Sequence, residues 1–173
     1  MENSNIILIV DDDSSNLMAL ISILQPEYKV YTAKSGASAL DKAGMLLPDL
    51  VLLDVIMPDM NGFDVIAKLK KTDKIKEIPV IFITGMNESD TEGMGLALGA
   101  ADYIHKPFNA TIVKERILRQ IQIVNQKRDM LIAVEEIESS VKALESEYDG
   151  AQFAALREKL QFLRERLSKS GSK

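Results

Sequence analysis

Hydrophobic and polar positions divide the chain into two parts with different rhythms. Up to about residue 122, short solid apolar runs alternate with stretches of helical period. Ile6–Val10, Leu50–Leu53 and Val80–Ile83 are rich in β-branched side chains, the pattern of strands buried on both faces. "YKVYT" (28–32) is more mixed and "ADYIH" (101–105) weaker still, which predicts edge strands with one side less covered. Between these runs, "SSNLMALISIL" puts Leu17, Leu20, Ile21 and Leu24 at helical spacing. Ser14 or Ser15 is its predicted cap. Residues 35–46, 62–71 and 88–98 also read as helices.

Five strands alternating with helices imply a parallel sheet with right-handed crossovers. Three fully apolar strands between two mixed ones suit a flavodoxin-like, doubly wound α/β fold with strand order 2-1-3-4-5, whose edges are the second and fifth strands. From about Asn109 the pattern changes, with no proline after Pro107. Met130, Val134, Ile137, Val141, Leu144 and Tyr148 alternate spacings of four and three, a coiled-coil-like seam. "DG" at 149–150 is a break signal. Phe153, Leu156, Leu160, Leu163 and Leu167 then resume the same spacing, and "SKSGSK" reads as a frayed tail. The expected organisation is a domain over 1–122 and a helical extension over 123–173.

Composition narrows the class. Of the 173 residues, 46 % are hydrophobic and 27 % charged, enough apolar material for a sizeable core. The net charge of −5 argues against a general nucleic-acid binder. Without cysteine, disulfides, thiolate zinc sites and cysteine nucleophiles are excluded. The amino-terminal apolar stretch is stopped by three acids and is neither a signal peptide nor a membrane span. A cytoplasmic protein is expected.

The polar residues that interrupt the strand pattern all fall at strand ends. Asp11 and Asp12 follow the first strand, Asp54 the third, Thr84 the fourth and Lys106 the fifth. In a parallel sheet these ends share one side, and the crevice between the first and third strands is where ligands bind. Three gathered carboxylates repel one another unless a cation joins them. Magnesium suits such a site, since it is held by one or two carboxylates plus waters and phosphate oxygens. One carboxylate then serves as a nucleophile towards phosphorus, while Lys106 and the Thr84 hydroxyl meet the phosphoryl oxygens. Any one of these acids alone is better read as a solvated turn residue; the ordered set on four strand ends is not.

These stretches resemble the receiver domain of bacterial two-component response regulators (the CheY-like family). "ILIVDDD" resembles the family's acidic first strand, "VLLDVIMPDMNG" its phosphorylation-site strand and loop, "IFITG" its switch hydroxyl, and "ADYIHKPF" its aromatic switch and Lys-Pro. The resemblance covers roughly residues 5–122. It implies Asp54 as phosphoacceptor, Asp12 as a direct magnesium ligand, Asp11 acting mostly through water, and the backbone carbonyl of Ile56 as a further ligand. Thr84 and Lys106 would hold the phosphoryl group, and Tyr103 would report the state to the surface of the fourth helix, fifth strand and fifth helix. A cis bond between Lys106 and Pro107 is also implied. The donor would be a sensor histidine kinase or phosphotransfer protein. The chain is then no enzyme beyond catalysing its own phosphotransfer and dephosphorylation.

Other features have plainer explanations. "GMGLALGA" (93–100) lacks the glycine-lysine pattern of a nucleotide loop and reads as a helix with a glycine end cap. His105, the only histidine, should point away from the pocket. "KLKKTDKIK" (68–76) is a solvated helix end, and Asp59, Asn61 and Gly62 a turn and cap. The pair Asp11 and Asp13 raises a rival, the haloacid-dehalogenase-type phosphatases. That class needs further acids at a later strand end, whereas the next acid after Lys106 is Glu115, inside a helix pattern.

The helix beginning near Asn109 should run to about Tyr148, roughly 60 Å, and needs its seam covered. From Lys127 to Asp149 there are three bases and seven acids, a balance of −4; from Gly150 on there are six bases and two acids, a balance of +4. Two arrangements follow: an antiparallel hairpin of acidic and basic helices, or one straight helix through Gly150 forming a parallel dimer or a linker. The tail is a candidate homodimer interface or dock for a downstream protein. No helix-turn-helix or cyclase motif follows the receiver-like part, which favours output by binding on the condition that residue 173 is the natural end, the alternative being a further output domain. The contrasting expectation is a pure interaction protein in which phosphorylation is vestigial.

Overall fold

The computed structural model describes residues 5–85, 95, 97–145 and 153–169. Five strands, β1 (Ile6–Val10), β2 (Lys29–Ala33), β3 (Leu50–Asp54), β4 (Val80–Thr84) and β5 (Asp102–His105), form one sheet. All pairings are parallel, in the order β2-β1-β3-β4-β5. The edges fall where the mixed sequences predict. β3 and β4 are buried throughout, whereas β2 begins exposed and β5 ends exposed.

Side chains alternate across a strand, so the sheet separates two apolar layers. Ile7, Ile9, Leu50, Leu52, Ile81 and Ile83 pack with Leu17, Leu20 and Leu24 of α1 (Ser14–Leu24), and with Val113, Ile117 and Ile121. Leu8, Val10, Val51, Leu53 and Phe82 pack with Ala39 and Ala43 of α2 (Gly36–Leu46) and Val65, Ile66 and Leu69 of α3 (Gly62–Lys71). Strands with both faces covered must be solidly apolar, and that is what the sequence showed.

One cap differs from expectation. Asp13, not Ser14 or Ser15, caps α1, with its carboxylate accepting from the Ser15 N–H at 2.7 Å. Asp13 lies just outside the helix in extended backbone, where a carboxylate meets the first free N–H groups. It is held below the ordinary carboxylate range by the Ser15 hydroxyl and N–H. Asn61 caps α3 as expected, accepting from the Asp64 N–H at 2.8 Å. Lys70, in the lysine-rich stretch, donates to the carbonyls of Lys76 and Ile78. Most of the helix expected over 88–98 lies outside the described residues; Gly99, at φ +89, stands at its far end.

Packing divides the chain into two units, Met1–Ile121 and Gln122–Lys173. A single helix, α4 (Ala110–Glu145), contributes to both, and α5 (Ala154–Lys169) belongs to the second. Within the second unit Arg164 donates to Glu138 and Glu135, each at 3.0 Å. On one straight helix Arg164 and Glu138 would stand roughly 39 Å apart, so the straight-helix arrangement is excluded and α5 returns alongside α4. The seam is only half inside. Val134, Val141 and Leu160 are buried, while Met130, Ile137, Leu144, Leu156 and Leu163 are exposed. Tyr148 lies outside the described residues.

Among the described residues no helix is long and apolar enough to cross a membrane.

Candidate functional site

Register assembles the site. Val10 pairs with Leu53 across β1 and β3, so the next residues, Asp11 and Asp54, emerge side by side at the carboxyl end of the sheet. Asp54 opposes Ile83 in β4, and Thr84 opposes His105 in β5, which brings Thr84 and Lys106 to the same end. Asp11 has no exposed surface, Asp54 and Thr84 are buried, and Asp12 is exposed. One carboxylate oxygen from each of Asp11, Asp12 and Asp54 lies within 4.8 Å of the others.

Lys106 closes this cluster. Its Nζ lies 3.0 Å from Asp11 Oδ2 and 3.0 Å from Asp54 Oδ2. Its backbone N–H donates to the Thr84 carbonyl at 2.8 Å, and the bond from Lys106 to Pro107 is cis. Burial pulls the lysine towards neutrality, but the two carboxylates outweigh it and hold the ammonium above its ordinary pKa. Asp54 is pushed upward, first by burial and further by the charge of Asp11. The Lys106 ammonium opposes this, with help from the Ile56 N–H. Removing a carboxylate from water costs free energy that a neighbouring cation returns.

These residues fit a hard divalent cation. The donors are all carboxylate oxygens, one of them on exposed Asp12, and one lysine offsets only part of their charge. Asp54 is hydrogen-bonded through Oδ2 to Lys106. An aspartate at the carboxyl end of the sheet, beside a lysine ammonium and further acids, has the surroundings that attack on phosphorus requires.

The remaining expected residues are distributed as follows. Ile56 lies two residues beyond Asp54 with its side chain exposed. Tyr103 is buried, its ring 5.8 Å from that of Phe82 at a tilt of 30°. His105 is exposed, directed away from the acids by strand alternation.

Three contributors were not foreseen. Asn16, in the first turn of α1, donates through Nδ2 to both oxygens of Asp11, at 3.2 and 3.0 Å. In the sequence it is one polar residue on a helix, and no signal marks it. Gly62 looked like a turn residue; a Cβ there would come 2.5 Å from the Asp54 carbonyl, so its absence lets α3 start against the end of β3. Likewise a Cβ on Gly95 would collide with the Tyr103 hydroxyl. The Asn-Gly pair at 61–62 was the available signal for the first of these glycines.

Comparison with known proteins agrees with this geometry. Residues 7–118 match the family model described as response regulator receiver domain. A probable cyclic di-GMP phosphodiesterase of Vibrio cholerae serotype O1 is 36 % identical over 150 residues, covering 87 % of this chain and 34 % of that protein. Response regulator PleD of Caulobacter vibrioides is 41 % identical over 112 residues, 64 % of this chain and 25 % of PleD. The chain thus spans between a quarter and about a third of these relatives. The crystal structure of a CheY-like receiver domain protein from Methanospirillum hungatei superposes with a TM-score of 0.67 at 30 % identity, covering 72 % of this chain and 98 % of that one.

Proposed function

The chain belongs to the response regulator receiver family, and on that premise we propose that Asp54 is its phosphoacceptor. Members of this family are response regulators of two-component systems, phosphorylated on an aspartate with magnesium. The observation that carries the assignment is the convergence of Lys106 on Asp54 and Asp11 at equal distance, with Asp12 open beside them.

In this reading Asp12, Asp54 and the Ile56 carbonyl would hold magnesium, with Asp11 in the same acidic pocket. The ion would supply countercharge for the phosphoryl oxygens. An Asp54 oxygen forms the bond to phosphorus as the bond to the histidine nitrogen of the kinase or phosphotransfer protein breaks. Lys106 then pairs with a phosphoryl oxygen, and the Thr84 hydroxyl donates to another. The loss of Lys106 from its present partners is the local event that Thr84 and Tyr103 transmit. The receiver is not itself an enzyme towards other substrates.

We assign residues 1–122 to the receiver and 123–173 to a helical output element. Similarity to the Vibrio protein covers 87 % of the chain and so extends well beyond the receiver match, which supports a connector leading to an output domain. The exposed half of the helical seam supports a second function of the same segment, pairing with another copy.

Incubation with acetyl phosphate and magnesium, followed by intact mass measurement, tests the assignment. A gain of one phosphoryl group that Asp54→Asn abolishes is expected. No gain in the wild type leaves an interaction protein instead, and a gain retained by the variant moves the acceptor elsewhere.

A further inference from the structure

Asp11 differs from its two neighbours in how completely its acceptor capacity is used. A carboxylate offers about four lone-pair positions. Asp11 Oδ1 accepts from the Asp13 N–H at 2.9 Å and from Asn16 Nδ2 at 3.2 Å; Oδ2 accepts from Asn16 Nδ2 at 3.0 Å and from Lys106 Nζ at 3.0 Å. Asp11 is also wholly buried, so no water replaces a lost donor. One amide nitrogen therefore spans both oxygens and fixes the plane of the group. Asn16 can do this because the helix begins at Ser14, which turns the chain back after three residues and brings Asn16 over the strand end.

We infer that Asn16 is a positioning residue for the divalent-cation site: it occupies Asp11 so that this carboxylate stays out of the ion's inner shell, leaving direct coordination to Asp12 and Asp54. The inference rests on the reading of the acidic cluster as a cation site. Replacing Asn16 with leucine, of similar shape and without donors, opens one acceptor position on each oxygen of Asp11, while the Asp13 N–H and Lys106 keep theirs. The freed carboxylate then enters the inner shell, displacing one water and binding the ion more tightly.

The test uses the full chain with two probes, magnesium by titration calorimetry and europium(III) by luminescence decay in light and heavy water, which counts coordinated waters. Thermal melting in EDTA separates a folding defect from a site defect. For Asn16→Leu the expected result is one water fewer on europium and magnesium affinity raised about fivefold or more, since a hydrogen bond to a charged group is being exchanged for a metal contact. Asn16→Ser, which keeps one donor, falls between and is read instead should the leucine variant not fold. In an Asp11→Asn background the substitution has no effect on either quantity. An unchanged water count in the variants, or an effect that persists without the Asp11 carboxylate, overturns the inference while leaving the cation site standing. Failure of the wild type to bind either ion removes the cation site itself.

Discussion

The sheet and the helical tail are equally well patterned in sequence and unequally satisfied in structure. In the sheet, Leu52, Ile81, Phe82 and their neighbours have no exposed surface, because one stretch of chain supplies the strands and the helices on both faces. In the tail, seven-residue spacing marks two columns on each helix. Val134, Val141 and Leu160 are covered, whereas Ile137 stays 47 % and Leu163 48 % exposed. A period records that a face requires a partner; it does not record whether the partner lies in the same chain. A second copy, or a longer protein such as the Vibrio relative, can supply what one hairpin does not.

The widest contrast comes from the same truncation made in both regions. Leu52→Ala leaves a cavity between packed layers and should destabilise the receiver by about 2–5 kcal/mol, measured by urea unfolding followed by circular dichroism. A smaller value would mean that the layers collapse around the loss and the sheet is less rigidly packed than its burial implies.

The acidic pocket is the exception within the well-satisfied region. Because burial raises the Asp54 pKa, the folded chain keeps a proton there to higher pH than the unfolded chain does. The folded state then binds more protons, so stability falls as pH rises through that window. In metal-free buffer at neutral pH, Asp54→Asn should be more stable than the wild type, because it removes the charge whose burial raises the Asp54 pKa. The gap to the wild type should close as pH falls from Asp54's raised pKa into the ordinary carboxylate range. Urea titrations at several pH values check this; a gap independent of pH would remove burial as its cause.

The smallest effect belongs to the tail. Leu163→Ala should change the stability of the dilute monomer by no more than about 0.5 kcal/mol. In concentrated solution it should shift light scattering towards the monomer. A cost as large as that of Leu52→Ala, found at any dilution, would show that Leu163 is covered within its own chain and would end the contrast. The ion pairs of Arg164 with Glu135 and Glu138 add little to the hairpin, since all three side chains are substantially exposed.

Strand identity, strand order and the gathering of Asp11, Asp54, Thr84 and Lys106 were legible in the sequence because the three central strands are solid apolar runs, the two edge strands are mixed, and polar residues stand at the ends of β1, β3, β4 and β5. The span of α1 was read correctly, but its cap was misjudged by one or two positions because Asp, Ser and Ser in succession are all good caps, and only the backbone at Asp13 decides among them. Asn16 was invisible because its partner lies outside its own helix. Gly62 was visible only as a turn residue, since what it avoids, the Asp54 carbonyl, is a feature of three dimensions.

Lys106 holds one carbonyl of β4 through its backbone and the acids that follow β1 and end β3 through its side chain, while itself continuing β5. The carboxyl edge of the sheet is thus laced by one residue, as a drawstring gathers a hem. The phosphotransfer proposed for Asp54 would draw the ammonium to a new anion, slackening its tie to Asp11 and pulling at Thr84 in the same movement. Under the proposed phosphorylation of Asp54, a bond made at a single oxygen would therefore be felt at the ends of four strands, without any hinge having to be built for it.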